Sequence, residues 1–84
     1  MSVRQITIDV PEKVLLAEKM DIDAFGREMR MLAAVKMYEL GRLTSGRAAE
    51  LAGMSRVEFL LALERYSVFP FAAELEELEE GGHD

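Results

Sequence analysis

Two arginines and three hydroxyl side chains crowd into one short stretch near the middle of the chain: Thr44, Ser45, Arg47, Ser55 and Arg56. Arg carries a fixed fork of donors, and Ser or Thr adds a donor with little bulk, so the group suits an anionic oxygen, above all a nucleic-acid phosphate. These five are the candidate DNA-binding residues. No catalytic constellation stands beside them. Cysteine is absent, and the single histidine, His83, sits next to two glycines at the end of the chain. No glycine-rich phosphate loop occurs. Lys13, Lys19 and Lys36 lack the neighbours that would turn an ammonium into a base, and the carboxylates cluster where they repel one another. Neither an enzyme, nor a metal site, nor a cofactor is expected.

The elements that must hold these residues read as a helix-turn-helix over 43–66, LTSGRAAELAGMSRVEFLLALERY. Ala48, Ala49, Leu51 and Ala52 give a first helix a small apolar face, with Thr44 or Ser45 as its cap. Gly53 can take the left-handed conformation that stops it. Ser55 with Glu58 forms a capping box for the second helix, and Met54 with Phe59 a hydrophobic staple. If Phe59, Ala62, Leu63 and Tyr66 point inward, the opposite face shows Val57, Leu60, Leu61, Glu64 and Arg65. That face is poor for reading bases, since leucine bulk and a carboxylate stand where Arg, Asn or Gln would be needed. Leu60 and Leu61 instead suggest a protein-binding surface, or a seat for the chain's own C-terminal segment. A packing corner with no DNA contact remains an alternative.

Half of the 84 residues are hydrophobic, which gives one domain of a size at which a monomer is marginal. In the front half, Arg4, Ile6, Ile8 and Val10 alternate with Gln5, Thr7 and Asp9 as a half-buried strand would. Its pairing partner would be the same strand of another copy or the stretch around 68–71. If two such strands paired, as in a ribbon-helix-helix dimer, Gln5 and Thr7 would face DNA. Pro11 ends the strand and opens a short helix. Asp21 or Asp23 caps a longer one over 22–40 that stops at Gly41. This helix has two apolar sectors: Phe25, Met29, Leu32, Ala33 and Leu40, and a second of Met31, Ala34, Val35, Met37 and Tyr38. The second is expected to face another subunit.

The formal net charge of −6 is not spread evenly. Residues 1–66 balance, whereas 67–84 carry six acidic side chains and no basic one. Phe69, Phe71, Leu75 and Leu78 are spaced among those glutamates in a way that suits a segment ordering in a partner's groove. A solvated acidic end is the alternative. The expected architecture is therefore mainly α: a short N-terminal strand, then about four helices including the helix-turn-helix, in a dimer. A domain over 1–71 is followed by an acidic tail over 72–84. With no signal peptide and no membrane-length apolar run, a cytoplasmic location is expected.

ITIDVPEKV at the front, LAAVKMYELGRLTSGRAAELAGMSRVEFLLAL in the middle and the aromatic and proline residues after Tyr66 together resemble a family of small bacterial and archaeal predicted antitoxins. The resemblance covers about 6–71, and YELGRLTSGRAAELAGMSRVEFL is its most specific part. Members are similar, by prediction, to VapB-type antitoxins encoded beside PIN-domain proteins that resemble metal-dependent ribonuclease toxins. What this implies is a homodimer that binds and silences such a toxin and contacts its own promoter DNA. On the residues, Leu60, Leu61, Phe69, Phe71, Leu75 and Leu78 are the candidates for the toxin contact. A DNA-binding transcription regulator, or a protein-protein adaptor without DNA contact, are the alternatives.

Overall fold

The computed structural model describes residues 2–70, which form α1 (Glu12–Glu18), α2 (Ile22–Glu39), α3 (Ser45–Ala52) and α4 (Arg56–Ala62), followed by one 3₁₀ turn (Leu63–Tyr66). The mainly α class agrees with expectation; the N-terminal strand does not. No strand forms among the described residues, and residues 2–11 belong to no regular element. Ile6 is 82% exposed, and Ile8 is also exposed. A strand exists only if its N–H and C=O groups meet a second strand, and no described segment offers one. Around 68, where a partner strand was conceivable, Val68 turns into the core and its N–H donates to the Leu63 carbonyl at 3.2 Å.

Helix α2 starts where Asp21 accepts a bond from the Ala24 N–H at 2.8 Å, so of the two candidate caps Asp21 is the one used. Asp23 in the first turn and Lys36 in the last suit the helix dipole. The helix ends one residue before Leu40, and Gly41 follows at φ 75°. Of its two apolar sectors, Met31, Ala34, Val35 and Tyr38 are buried within the chain, against α3 and α4. The expectation that this sector faces another subunit is thus overturned. The other sector borders a groove beside α1, lined on the α2 side by Phe25, Met29 and Leu32.

The core joins that α2 stripe to Ala48 and Ala49 of α3, to Phe59, Leu60, Ala62 and Leu63, and to Val68. Alanines on α3 let the backbones approach closely, which is what steeply crossing helices need. Phe59 is fully buried and meets the Tyr38 ring edge-on, with centroids 5.7 Å apart and planes at 87°. An aromatic pair in this geometry adds about 0.5 to 1.5 kcal/mol to the burial itself. Helix α1, by contrast, buries no residue.

Candidate functional site

The helix-turn-helix forms, and each candidate DNA-binding residue can be placed on it. Thr44 caps α3, its hydroxyl accepting from the Arg47 N–H at 3.2 Å. Gly53 closes α3 at φ 77°, with the Gly53 N–H donating to the Glu50 carbonyl at 3.1 Å and the Met54 N–H to the Ala49 carbonyl at 3.0 Å. Two residues on, the Ser55 hydroxyl accepts from the Glu58 N–H at 3.1 Å while the Glu58 carboxylate accepts from the Ser55 N–H at 3.3 Å. Both halves of the expected capping box are present. Ser45 is 2% exposed, and its hydroxyl accepts from Arg56 Nε at 2.8 Å. That bond ties the start of α3 to the start of α4. Arg47 is exposed and pairs with Glu50 at 3.1 Å.

The five residues therefore lie around the starts of two adjacent helices, but most of their polar atoms already hold the fold. Thr44 and Ser55 are caps, and Ser45 faces inward to Arg56. Arg47 is left at the surface with a weak, solvent-screened ion pair that a phosphate could displace.

Of the candidate partner-binding residues, Leu61 is 66% exposed and Phe69 82%, as a docking surface requires. Leu60 is different: it is 3% exposed and belongs to the core. The correction has a tertiary cause. Ser67 takes a left-handed conformation at φ 57°, the chain reverses, and Val68 enters the same cluster as Leu60. Phe71, Leu75 and Leu78 lie outside the described residues.

Two concavities had no counterpart in the sequence reading. The first is a groove of 420 Å³ between α1 and α2, with Val14, Ala17, Phe25, Met29 and Leu32 on its walls and Lys13, Glu18 and Glu28 at its edges. The second is a cleft of 460 Å³ at the helix-turn-helix corner, lined by Arg27 and Arg30 of α2 and by Arg65 together with Ala52, Gly53 and Met54. Arg27 and Arg30, three apart, share a helix face, but Arg65 reaches them only through the tertiary fold. Arg30 Nε donates to the Leu51 carbonyl at 2.7 Å. Among the described residues no group of three or more His, Asp or Glu side chains converges as a metal site would require, and no helix is long and apolar enough to cross a membrane.

Comparison with known proteins extends these observations. A "UPF0175 protein" of Archaeoglobus fulgidus is 42% identical over 52 residues, which cover 62% of this chain and 59% of that protein. One of Aeropyrum pernix is 41% identical over 54 residues, covering 64% of this chain and 68% of the relative. The chain thus matches about three fifths of the length of the first of these relatives and about two thirds of the second. No solved structure matches it. The model of a family described as "Uncharacterised protein family (UPF0175)" matches residues 1–81, nearly the full length and all of the helix-turn-helix, and the chain belongs to that family.

Proposed function

We propose that this chain is an antitoxin-like protein that acts by binding, not catalysis: a homodimer that holds and neutralises a PIN-type ribonuclease toxin and also contacts its own promoter DNA. The observation that carries the toxin reading is the apolar exposure along α4 and just after the helix-turn-helix. Val57, Leu61 and Phe69 are all more than half exposed there, although 11 apolar residues nearby are buried in the core. Large side chains left in water at the point where the chain enters its acidic segment suit a partner surface with apolar and basic parts. In the mechanism, Leu61, Phe69, Phe71, Leu75 and Leu78 fill a groove on the toxin while the glutamates cover basic residues that would otherwise hold RNA phosphates.

Co-expression with the protein encoded by the neighbouring gene tests this. The full chain is expected to co-purify with that protein and suppress its ribonuclease activity, and a chain ending at Pro70, which keeps Val68 in the core, is expected to lose both. If truncation leaves both intact, the tail mechanism is wrong.

A DNA-binding regulator is favoured as a second reading by one feature, the formed helix-turn-helix with its left-handed Gly53 corner and its capped α4. Sequence-selective binding to the upstream region, without any toxin partner, would favour it over neutralisation.

A further inference from the structure

The corner cleft gathers three of the chain's seven arginines against a single carboxylate, Glu28, although the charges of residues 1–66 balance as a whole. We propose that Arg27, Arg30 and Arg65 grip the phosphate backbone of double-stranded DNA. The main anionic contact then lies at the helix-turn-helix corner and not at the starts of α3 and α4. This inference rests on the DNA-contacting part of the function proposed above.

Three observations carry it. First, the two ion pairs among the described residues are Lys36 with Glu39 and Arg47 with Glu50, so none of the three cleft guanidiniums is matched with a carboxylate. Arg56, by contrast, is tied to Ser45, and Arg47 has the Glu50 carboxylate beside it, which adds a negative charge where a phosphate would bind. Second, two of the three are held in place. Arg30 is fixed by its bond to the Leu51 carbonyl, and the Arg65 guanidinium stands 5.9 Å from the centre of the Tyr66 ring. A donor fork fixed beforehand gives up less side-chain freedom when a ligand arrives.

Third, Arg30 lies against the turn. A Cβ built on Gly53 would stand 3.4 Å from Arg30 Nη2, ordinary van der Waals distance, so the guanidinium is held beside the corner itself. Guanidinium forks match phosphate oxygens in pairs, and a helix-turn-helix brings its corner close to a duplex backbone when its second helix enters the groove. Forks of this kind match carboxylates equally well, so it is the placement of the corner on a duplex that favours DNA over an acidic peptide as the occupant.

The test is fluorescence anisotropy of the full-length chain with labelled duplexes, one from its own upstream region and one unrelated, between about 50 and 200 mM salt. The double variant Arg27→Gln/Arg65→Gln is expected to weaken binding to both duplexes alike. It should reduce the slope of log K against log salt by about one for each arginine removed. Its circular dichroism and thermal midpoint should match the wild type, and Arg27→Lys should retain most of the slope. If the double variant keeps the wild-type slope while Arg47→Ala or Arg56→Ala loses it, the cleft assignment is overturned and DNA contact through the helix starts survives. If the wild type binds neither duplex at the lowest salt, the DNA reading falls and the cleft assignment with it. A double variant that binds DNA normally but no longer binds a poly-glutamate peptide would make the cleft a carboxylate site, which also overturns the proposal.

Discussion

A hydroxyl with almost no access to water has to be matched inside the protein, and Ser45 is matched by the Arg56 guanidinium. Removing a bond to a charged donor costs about 1.5 to 3 kcal/mol, and the half-buried position of Arg56 puts this one at the lower end. Ser45→Ala is therefore expected to lower the denaturant midpoint by an amount worth about 1.5 kcal/mol with an unchanged m-value, as urea unfolding would show. Thr44 and Ser55 raise a related question, because alanine at either position removes a helix cap and a prospective phosphate contact together. Aspartate separates the two roles, since it caps about as well as serine while repelling phosphate. Ser55→Asp should leave stability within about 0.5 kcal/mol of wild type. If Ser55 lies against DNA, the same variant binds duplex more weakly. Unchanged binding would remove Ser55 from the interface.

At the level of elements, all four helical segments close in the same way. After each one, a residue with positive φ donates to the carbonyl three before it, and the next N–H donates to the carbonyl five before it. The left-handed residues are Lys19, Gly41, Gly53 and Ser67. Glycine adopts this conformation freely, whereas a residue with a Cβ pays about 1 kcal/mol or more. Ser67→Gly is accordingly expected to stabilise the chain by roughly 0.5 to 1 kcal/mol, once the greater freedom of glycine in the unfolded chain is set against the relief of strain. Gly53→Ala should destabilise by about 1 kcal/mol, from backbone strain at φ 77°. Thermal unfolding followed by circular dichroism would show both shifts, with opposite signs.

Gly41, Gly53, Asp21 and the Ser55 and Glu58 pair announce helix ends by residue type, and each stands where the sequence placed it. Lys19 and Ser67 do the same job without announcing it. The reversal at Ser67 brings Val68 into the cluster that buries Leu60, so of the two leucines only Leu60 seats the chain's own following segment while Leu61 stays exposed.

For the molecule as a whole, the sequence carried the helical class and the corner but misread the front. Alternation over residues 4–10 describes a strand only when a second strand is present to complete the ladder, and that depends on the rest of the fold. The corner cleft was out of reach for a similar reason, since Arg65 is far along the chain from Arg27 and Arg30. Besides Leu61 and Phe69, large apolar side chains at Leu16, Ile22, Leu32 and Leu40 are exposed around α1 and α2. The groove between these helices carries Lys13 at one edge and Glu18 and Glu28 at others, a pattern that can complement itself across a two-fold axis. If the proposed homodimer forms there, Leu32→Glu should halve the mass seen by sedimentation equilibrium and leave helicity unchanged. A wild-type chain that sediments as a monomer at every concentration would remove the dimer.

Helix α1 has seven residues and none of them is buried, so little besides its own backbone bonds holds it against the remainder of the chain. The N-terminal third should therefore open on its own, long before the three-helix core lets go. In hydrogen-exchange mass spectrometry its amides should take up deuterium within seconds, while those of α2 near Val35 wait for global unfolding. Brief trypsin treatment should cut after Lys13 or Lys19 first and release a trimmed protein that still melts cooperatively. Any surface that engages α1 would slow both processes, so a latch of this kind would reveal the arrival of a partner by becoming quiet.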